Sequence, residues 1–337
     1  RRAEQRELLD RLAGLAEERR ADVVLLSGDL LDGGQTYQET VQALARTLGG
    51  IPAPVFIAPG NHDFYSPRSP YAGVKWPENV HIFRSPRIEA VTLPELGVRV
   101  WGAAFTDSRC PGLLRGFSVP KQAGLLDVLC LHGEVGNPAS AYDPVSAAEL
   151  AASGLDYAAF GHVHRFGGVQ RAGGTVYAWP GCMEGRGFDE TGEKGVLLVD
   201  VAAGDVQARF VPVPGRRYEI LRVDVTGRDA ESALRAALPE STARDSYRVI
   251  FTGETDERGL ALEVLRERFA PDFFSLELRD ETRIGESVWA RASEDSLRGL
   301  FLRELRAKYD AAHSDDERAQ LSLAARYGLA ALDGRDL

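Results

Sequence analysis

Four short polar stretches carry side chains that could do chemistry together: Ser27-Gly28-Asp29, Pro59-Gly60-Asn61-His62-Asp63, His132, and Gly161-His162-Val163-His164. Between them they offer a carboxylate, an amide oxygen and several imidazoles. That mixture of oxygen and nitrogen donors suits manganese, iron or zinc better than calcium or magnesium, which prefer oxygen alone. An imidazole that is not a ligand could act as a general acid, because it titrates near neutrality. Taken singly, each stretch has a plainer reading. Asn-His-Asp and Ser-Gly-Asp after a strand are common polar turns, and His132 could be a satisfied histidine at the edge of a core. Their order and their common setting argue for one joint site. His81, inside an apolar run, and His313, in the C-terminal tail, lack that setting and are read as structural or surface residues.

The common setting is a strand end. Each stretch follows a short apolar run that reads as a buried strand, at 23–26, 55–58, 128–131 and 157–160. In a parallel sheet such ends lie along one edge, where open α/β folds place their ligands. Gly60 is read as the source of backbone freedom for the bend before Asn61. His162 and His164 are two apart, so in an extended segment they would point to the same side. Further strands are expected at 80–83, 98–103, 175–178, 195–201 and 206–210, and helices at 40–48 and 147–152. A helix at 4–19, with Leu8, Leu12 and Leu15 on one face, feeds the strand at 23–26. That is the pattern of a βαβ crossover, so a strand is expected before the helix, and none precedes it in this sequence. The whole reads as a layered α/β core, residues 1–214.

Pro212-Val213-Pro214-Gly215 marks a boundary by its turn chemistry. Beyond it, residues 215–283 alternate strand and helix and are expected to form a small α+β domain. The tail, 284–337, reads as helical. Leu297, Leu300, Phe301 and Leu305 form an apolar stripe, and Ser314 with Glu317 is a capping box for a second helix. Gly328 is placed to interrupt or end that helix. A stripe of this size packs either on the parent domains or on a partner.

Composition narrows the class. A formal net charge of -10 over 337 residues argues against a binder that holds nucleic acid by bulk charge alone. It leaves room for a nuclease with local basic residues, for which Arg68, Lys75, Arg84, Arg109, Arg115 and Arg165 are candidates. Cys110, Cys130 and Cys182 show no paired spacing, as expected for free thiols in a reducing cytoplasm. No apolar run is long enough to span a bilayer, and no P-loop motif occurs.

In order and spacing, Gly28-Asp29, Gly60-Asn61-His62-Asp63, His132 and Gly161-His162-Val163-His164 resemble the signature of calcineurin-like metallophosphoesterases. The resemblance implies a core of that fold that binds two divalent metal ions, manganese foremost. Asp29 would bridge them and take part in catalysis. Asn61, His132 and His162 would complete one site, His164 would serve the other, and His62 would be the catalytic histidine. The family's Asp-x-His motif does not occur upstream of Asp29, so the second metal is expected to bind weakly. Trp76-Pro77-Glu78-Asn79-Val80, Pro180-Gly181, the domain after Gly215, Leu297-Arg298-Gly299-Leu300-Phe301 and Gly328-Leu329-Ala330-Ala331-Leu332 are similar to the SbcD/YhaO-type branch of DNA-repair exonucleases. Where that branch reads Pro-Gly-Ser, this chain has Cys182. The branch implies cleavage of DNA phosphodiesters by a water activated between two metals, with an SbcC-type coiled-coil ATPase as partner. It also implies a possible homodimer, no membrane, and a cytoplasmic setting. In that branch the 215–283 domain would cap the core and bind DNA, and the tail would dock on the ATPase. Two other readings use the same residues: a phosphoesterase for small nucleotides or cyclic dinucleotides, and an interaction protein that kept the fold with impaired catalysis.

Overall fold

Two apolar faces alternate along the strands of the N-terminal part of the chain, and this alternation builds the layers. In β1 (Val24–Leu26) and β2 (Val55–Ile57), Val24, Leu26, Val55 and Ile57 turn to one side while Leu25 and Phe56 turn to the other. With β3 (Val80–Ile82) these strands form a parallel three-stranded sheet in the order β1-β2-β3. Its outer face is covered by α1 (Arg2–Glu18) and α2 (Gln38–Gly49). The computed structural model describes residues 2–31, 37–202 and 204–335.

A second sheet faces the first. β4 (Glu89–Leu93), β5 (Val98–Gly102) and β6 (Leu126–His132) lead to a short pair, β7 (Glu134–Val135) and β8 (Pro144–Val145). Then come α3 (Ala147–Ser153), β9 (Tyr157–Gly161), β10 (Gln170–Ala172) and β11 (Thr175–Ala178). Six of these strands pair in the order β10-β11-β9-β6-β5-β4. Val128, Cys130 and Tyr157 face the same inner core as Phe56 and Phe83, whereas Leu129, Leu131 and Phe160 pack outward with Leu150 of α3. The result is helix, sheet, sheet, helix: the layered α/β core expected. β12 (Gly195–Ala202) and β13 (Asp205–Pro212) form a hairpin whose Val199, Val201 and Val206 close the inner core.

The face α1 buries differs from the one read from sequence. Leu12 is buried as expected, but the α1 residues that pack in the core of the small sheet are Leu9, Ala13 and Ala16, while Leu8 and Leu15 are half-buried outside it. The two stripes overlap by less than a turn, and apolar side chains occur on both.

Two compact units divide the chain: one runs to Glu184 and resumes over Glu193–Gly215, the other is Gly185–Gly192 with Arg216 onward. In the second, β14 (Tyr218–Asp224), α4 (Ala230–Ala237), β15 (Ser246–Thr252), β16 (Glu254–Thr255), α5 (Leu262–Phe269), β17 (Ser275–Asp280) and β18 (Arg283–Ile284) follow in order. β14, β15 and β17 pair in parallel, and Leu234, Leu265 and Phe269 of the two helices cover them. α6 (Glu286–Trp289), α7 (Leu297–Ala311) and α8 (Asp315–Leu332) then build a small core of their own around Trp289, Leu302, Ala325 and Leu329. Arg326 of α8 donates to the Thr255 and Thr282 hydroxyls, each at 2.6 Å, and ties this core to the sheet.

The tail corrects two expectations. Leu302, outside the expected stripe, is the buried apolar side chain of α7, with Gly299 the other buried residue, while Leu297 is 69% and Leu300 52% exposed. Phe301 and Leu305 are only partly buried. Gly328 does not end α8, which runs four residues further. A Cβ at Gly328 would lie 2.0 Å from the Phe301 ring, so the glycine makes room for that side chain. Among the described residues no helix is long and apolar enough to cross a membrane. All three cysteines are free, and burial pushes the Cys110 and Cys130 thiols up to about 12.

Candidate metal centre

The centre is assembled from the ends of both sheets. Asp29 and Asn61 follow β1 and β2 of the small sheet, and His132 and His162 lie at the ends of β6 and β9 of the large one. The sequence reading placed all four along one edge of one sheet. The structure brings them together across the gap between two.

Asp63 joins the two loops of the small sheet. It is buried, and its Oδ1 accepts the backbone N–H of Asp29 at 3.1 Å and of Gly60 at 2.7 Å. Its Oδ2 accepts from Leu30 at 2.8 Å, from Leu31 at 3.3 Å, and from the Tyr71 hydroxyl. Burial pushes the Asp63 carboxyl above the ordinary carboxylate range, and the Tyr71 hydroxyl opposes that rise. The bonds hold Asp29 in a left-handed conformation, φ 55°, that a non-glycine residue adopts only when its surroundings enforce it. Sequence reasoning placed Asp63 beside His62 and missed both this role and Tyr71. The signal available was slight: a carboxylate directly after the bend, with a tyrosine eight residues on.

Close packing explains two glycines. A Cβ on Gly60 would lie 2.4 Å from Asp29 Oδ1 and 2.6 Å from His132 Nδ1, so space is what the site requires there. On Gly161 a Cβ would sit 1.8 Å from the Ser27 carbonyl oxygen, so that glycine too is required for space.

The protonation pattern follows from partners. His132 is fully buried, with Nδ1 2.8 Å from the Ser27 carbonyl oxygen. A carbonyl only accepts, so Nδ1 carries the proton and, in the neutral ring, Nε2 presents a lone pair. That lone pair faces Asn61 Oδ1 at 2.9 Å and Asp29 Oδ2 at 3.4 Å. His162 Nδ1 lies 3.3 Å from the same Asn61 oxygen. Ligand atoms of Asp29, His132 and His162 all fall within 4.8 Å of one another. Burial, then the neighbouring His132, hold His162 below the ordinary histidine range, which favours its neutral, metal-binding form. Lone pairs of oxygen and nitrogen turned on one another repel unless a cation lies between them, so this donor set fits a divalent metal. The carbonyl behind His132 is the kind of outer partner that orients a metal-binding imidazole.

The other expected residues stand at the margin. His62 donates its backbone N–H to Asp29 Oδ1 at 2.9 Å, and its exposed side chain is outside the donor cluster. His164 is exposed and also outside it. The backbone at His162 is not extended but has φ 92°, so the two-residue period does not carry His164 to the same point. The Pro180-Gly181-Cys182 turn contacts the His164 carbonyl through the Cys182 N–H at 3.1 Å and its thiol at 3.4 Å. The thiol thus keeps a local hydrogen bond where the branch has a hydroxyl. Tyr142 and Phe105, neither anticipated, pack rings against His162 and His132 with centroids 4.8 and 5.2 Å away.

Residues 2–166 match the family model of calcineurin-like phosphoesterases. Among curated proteins, the chain is similar to "Uncharacterized metallophosphoesterase YhaO" of Bacillus subtilis (strain 168), 30% identical over 216 residues. The match covers 61% of this chain and 52% of the relative, so the chain spans about half the length of the protein it resembles. A solved crystal structure aligns over 60% of this chain and 93% of its own with 14% identity and a TM-score of 0.40, too distant to bear on the argument. The family uses divalent metals to hydrolyse phosphoesters.

Proposed function

We propose that this protein is a DNA phosphodiesterase, the nuclease subunit of a repair complex, working with a separate coiled-coil ATPase of the SbcC type. The observation that carries the hydrolytic part is the set of facing lone pairs from Asp29, Asn61, His132 and His162. A divalent cation held there would supply positive charge to phosphoryl oxygens and would activate water at neutral pH; manganese is the metal we favour. The protein's own part is positional. Ser27 fixes the tautomer of His132, Asp63 holds the loops that present Asp29 and Asn61, and His62, exposed and outside the donor cluster, is assigned to protonate the leaving oxygen. His164 is assigned to a second, weaker metal. What supports DNA as substrate is the resemblance of the tail and of the 215–283 domain to the SbcD/YhaO-type branch. A phosphoesterase of small nucleotides would need neither. The net charge of -10 favours that second reading.

The test is turnover of linear DNA against a chromogenic phosphodiester, with manganese present. We expect both to be cleaved, and His62→Ala to lower both rates on the order of 10²–10⁴ with metal content unchanged. Cleavage of the chromogenic diester alone would favour the small-nucleotide reading. Loss of metal from His62→Ala would make His62 a ligand.

A further inference from the structure

Arg109 and Arg115 were two of several scattered basic candidates, and the fold brings this pair to one cleft. The cleft has a volume of about 380 Å³ and is lined by both arginines together with Gly112, Ser140, Ala141 and Pro144. Among the described residues no carboxylate lines it. Among the described residues neither arginine forms an ion pair. The acid that Arg115 influences, Glu149, already accepts two hydrogen bonds from Ser146 at 2.8 Å in the cap of α3. Ser140 Oγ accepts the Tyr142 N–H at 3.1 Å, which leaves its own proton to donate. Two uncommitted guanidiniums and a hydroxyl donor make a site for a phosphate oxyanion.

The cleft is built onto the metal centre. The Cys110 N–H donates to the Ala141 carbonyl at 2.9 Å, the Asp143 N–H donates to the Cys110 carbonyl at 2.9 Å, and Asp143 Oδ1 accepts the Leu113 N–H. These bonds staple the arginine loop to the segment 140–144. Tyr142, one residue or about 3.8 Å along the chain from Ala141, packs its ring on His162. One short segment therefore forms both the wall of the cleft and the side of the candidate centre.

We infer that this cleft binds a backbone phosphate of a nucleic-acid strand neighbouring the scissile one, and so selects polynucleotides over substrates with a single phosphodiester. The inference rests on the DNA reading above. The test is the Arg109→Gln/Arg115→Gln double variant of the full chain, loaded with manganese. Two probes are compared: a single-stranded 20-mer and bis(p-nitrophenyl) phosphate, which offers only the scissile phosphate. KM for the 20-mer should rise about tenfold or more, its log–log dependence on salt should flatten by roughly 0.7 per lost contact, and turnover of the small diester should not change. Arg109→Lys/Arg115→Lys should recover part of the 20-mer KM. An unchanged KM for the 20-mer overturns the subsite while leaving the DNA reading in place. Equal loss on both probes also overturns it, because the arginines would then serve the centre or the fold. A wild-type protein that turns over the small diester but not the 20-mer overturns the DNA reading, and the subsite with it.

Discussion

At the scale of single residues, the side chain that does most to set the centre is Asp63, which need not touch a metal. Four backbone N–H groups and the Tyr71 hydroxyl converge on its carboxylate. Removing it leaves buried donors without acceptors, so Asp63→Ala should destabilise the protein by several kcal/mol, on the order of 3–5. Tyr71→Phe removes one bond to a charged group and should cost about 1.5–3 kcal/mol. Both should weaken manganese binding in a calorimetric titration, although neither variant alters a proposed ligand. Unchanged affinity would show that the loops hold their shape unaided. Asp143 offers a prediction in pH. Burial pushes its carboxyl up to about 7 from an ordinary 3.8. Between those values the folded protein keeps a proton that the unfolded chain has released. The stability this contributes is complete below about pH 4 and is lost as pH rises to about 7. Asp143→Asn has no such proton to lose, and asparagine tolerates the φ of 49° at this position. Over that window the variant should gain on the wild type, by up to about 4 kcal/mol from the size of the shift. Urea unfolding at several pH values reads this. A difference independent of pH would mean that the carboxyl is ionised in the folded protein.

At the scale of elements, Gly328 sets α7 against α8. An alanine there would gain about 1 kcal/mol in helix propensity but collide with Phe301, an overpacking that costs about 1–3 kcal/mol. Gly328→Ala should therefore destabilise, and in the Phe301→Ala background the same step should stabilise. A double-mutant cycle by chemical unfolding measures the coupling, and strict additivity would contradict the contact. How much was legible in the sequence differs along the chain for physical reasons. Strand after strand was readable, because short apolar runs bounded by turns are what buried strands look like. Their division between two sheets was not. Val55, Phe56 and Ile57 are equally apolar, and nothing in their types says that Phe56 faces one core and its neighbours another. Asp29, Asn61, His132 and His162 were legible as donors in order. The left-handed turn at His162, which leaves His164 aside, was not, since a non-glycine residue of positive φ has no sequence mark. The reach of Asp63 was hidden because its partners are mostly backbone N–H groups, which every residue carries.

At the scale of the molecule, the proposed ATPase partner bears on the tail. Phe301 is half-buried against Gly328, so changing it would disturb the helical pair itself. Leu297 and Leu300 are exposed and can be changed without that cost. Leu297→Glu/Leu300→Glu should abolish co-purification with the ATPase while the melting temperature and metal content stay as in the wild type. Retained co-purification would place the docking surface elsewhere. The central claim is that Asp29, Asn61, His132 and His162 hold a divalent metal on which phosphodiester hydrolysis depends. Manganese titration of the wild type and of His132→Ala, followed by calorimetry with turnover of a chromogenic diester in parallel, tests it most directly. The account predicts saturable binding to the wild type, and in the variant an affinity lower by about 10²-fold or more, with activity lost in step. Wild-type affinity and turnover in His132→Ala would contradict it.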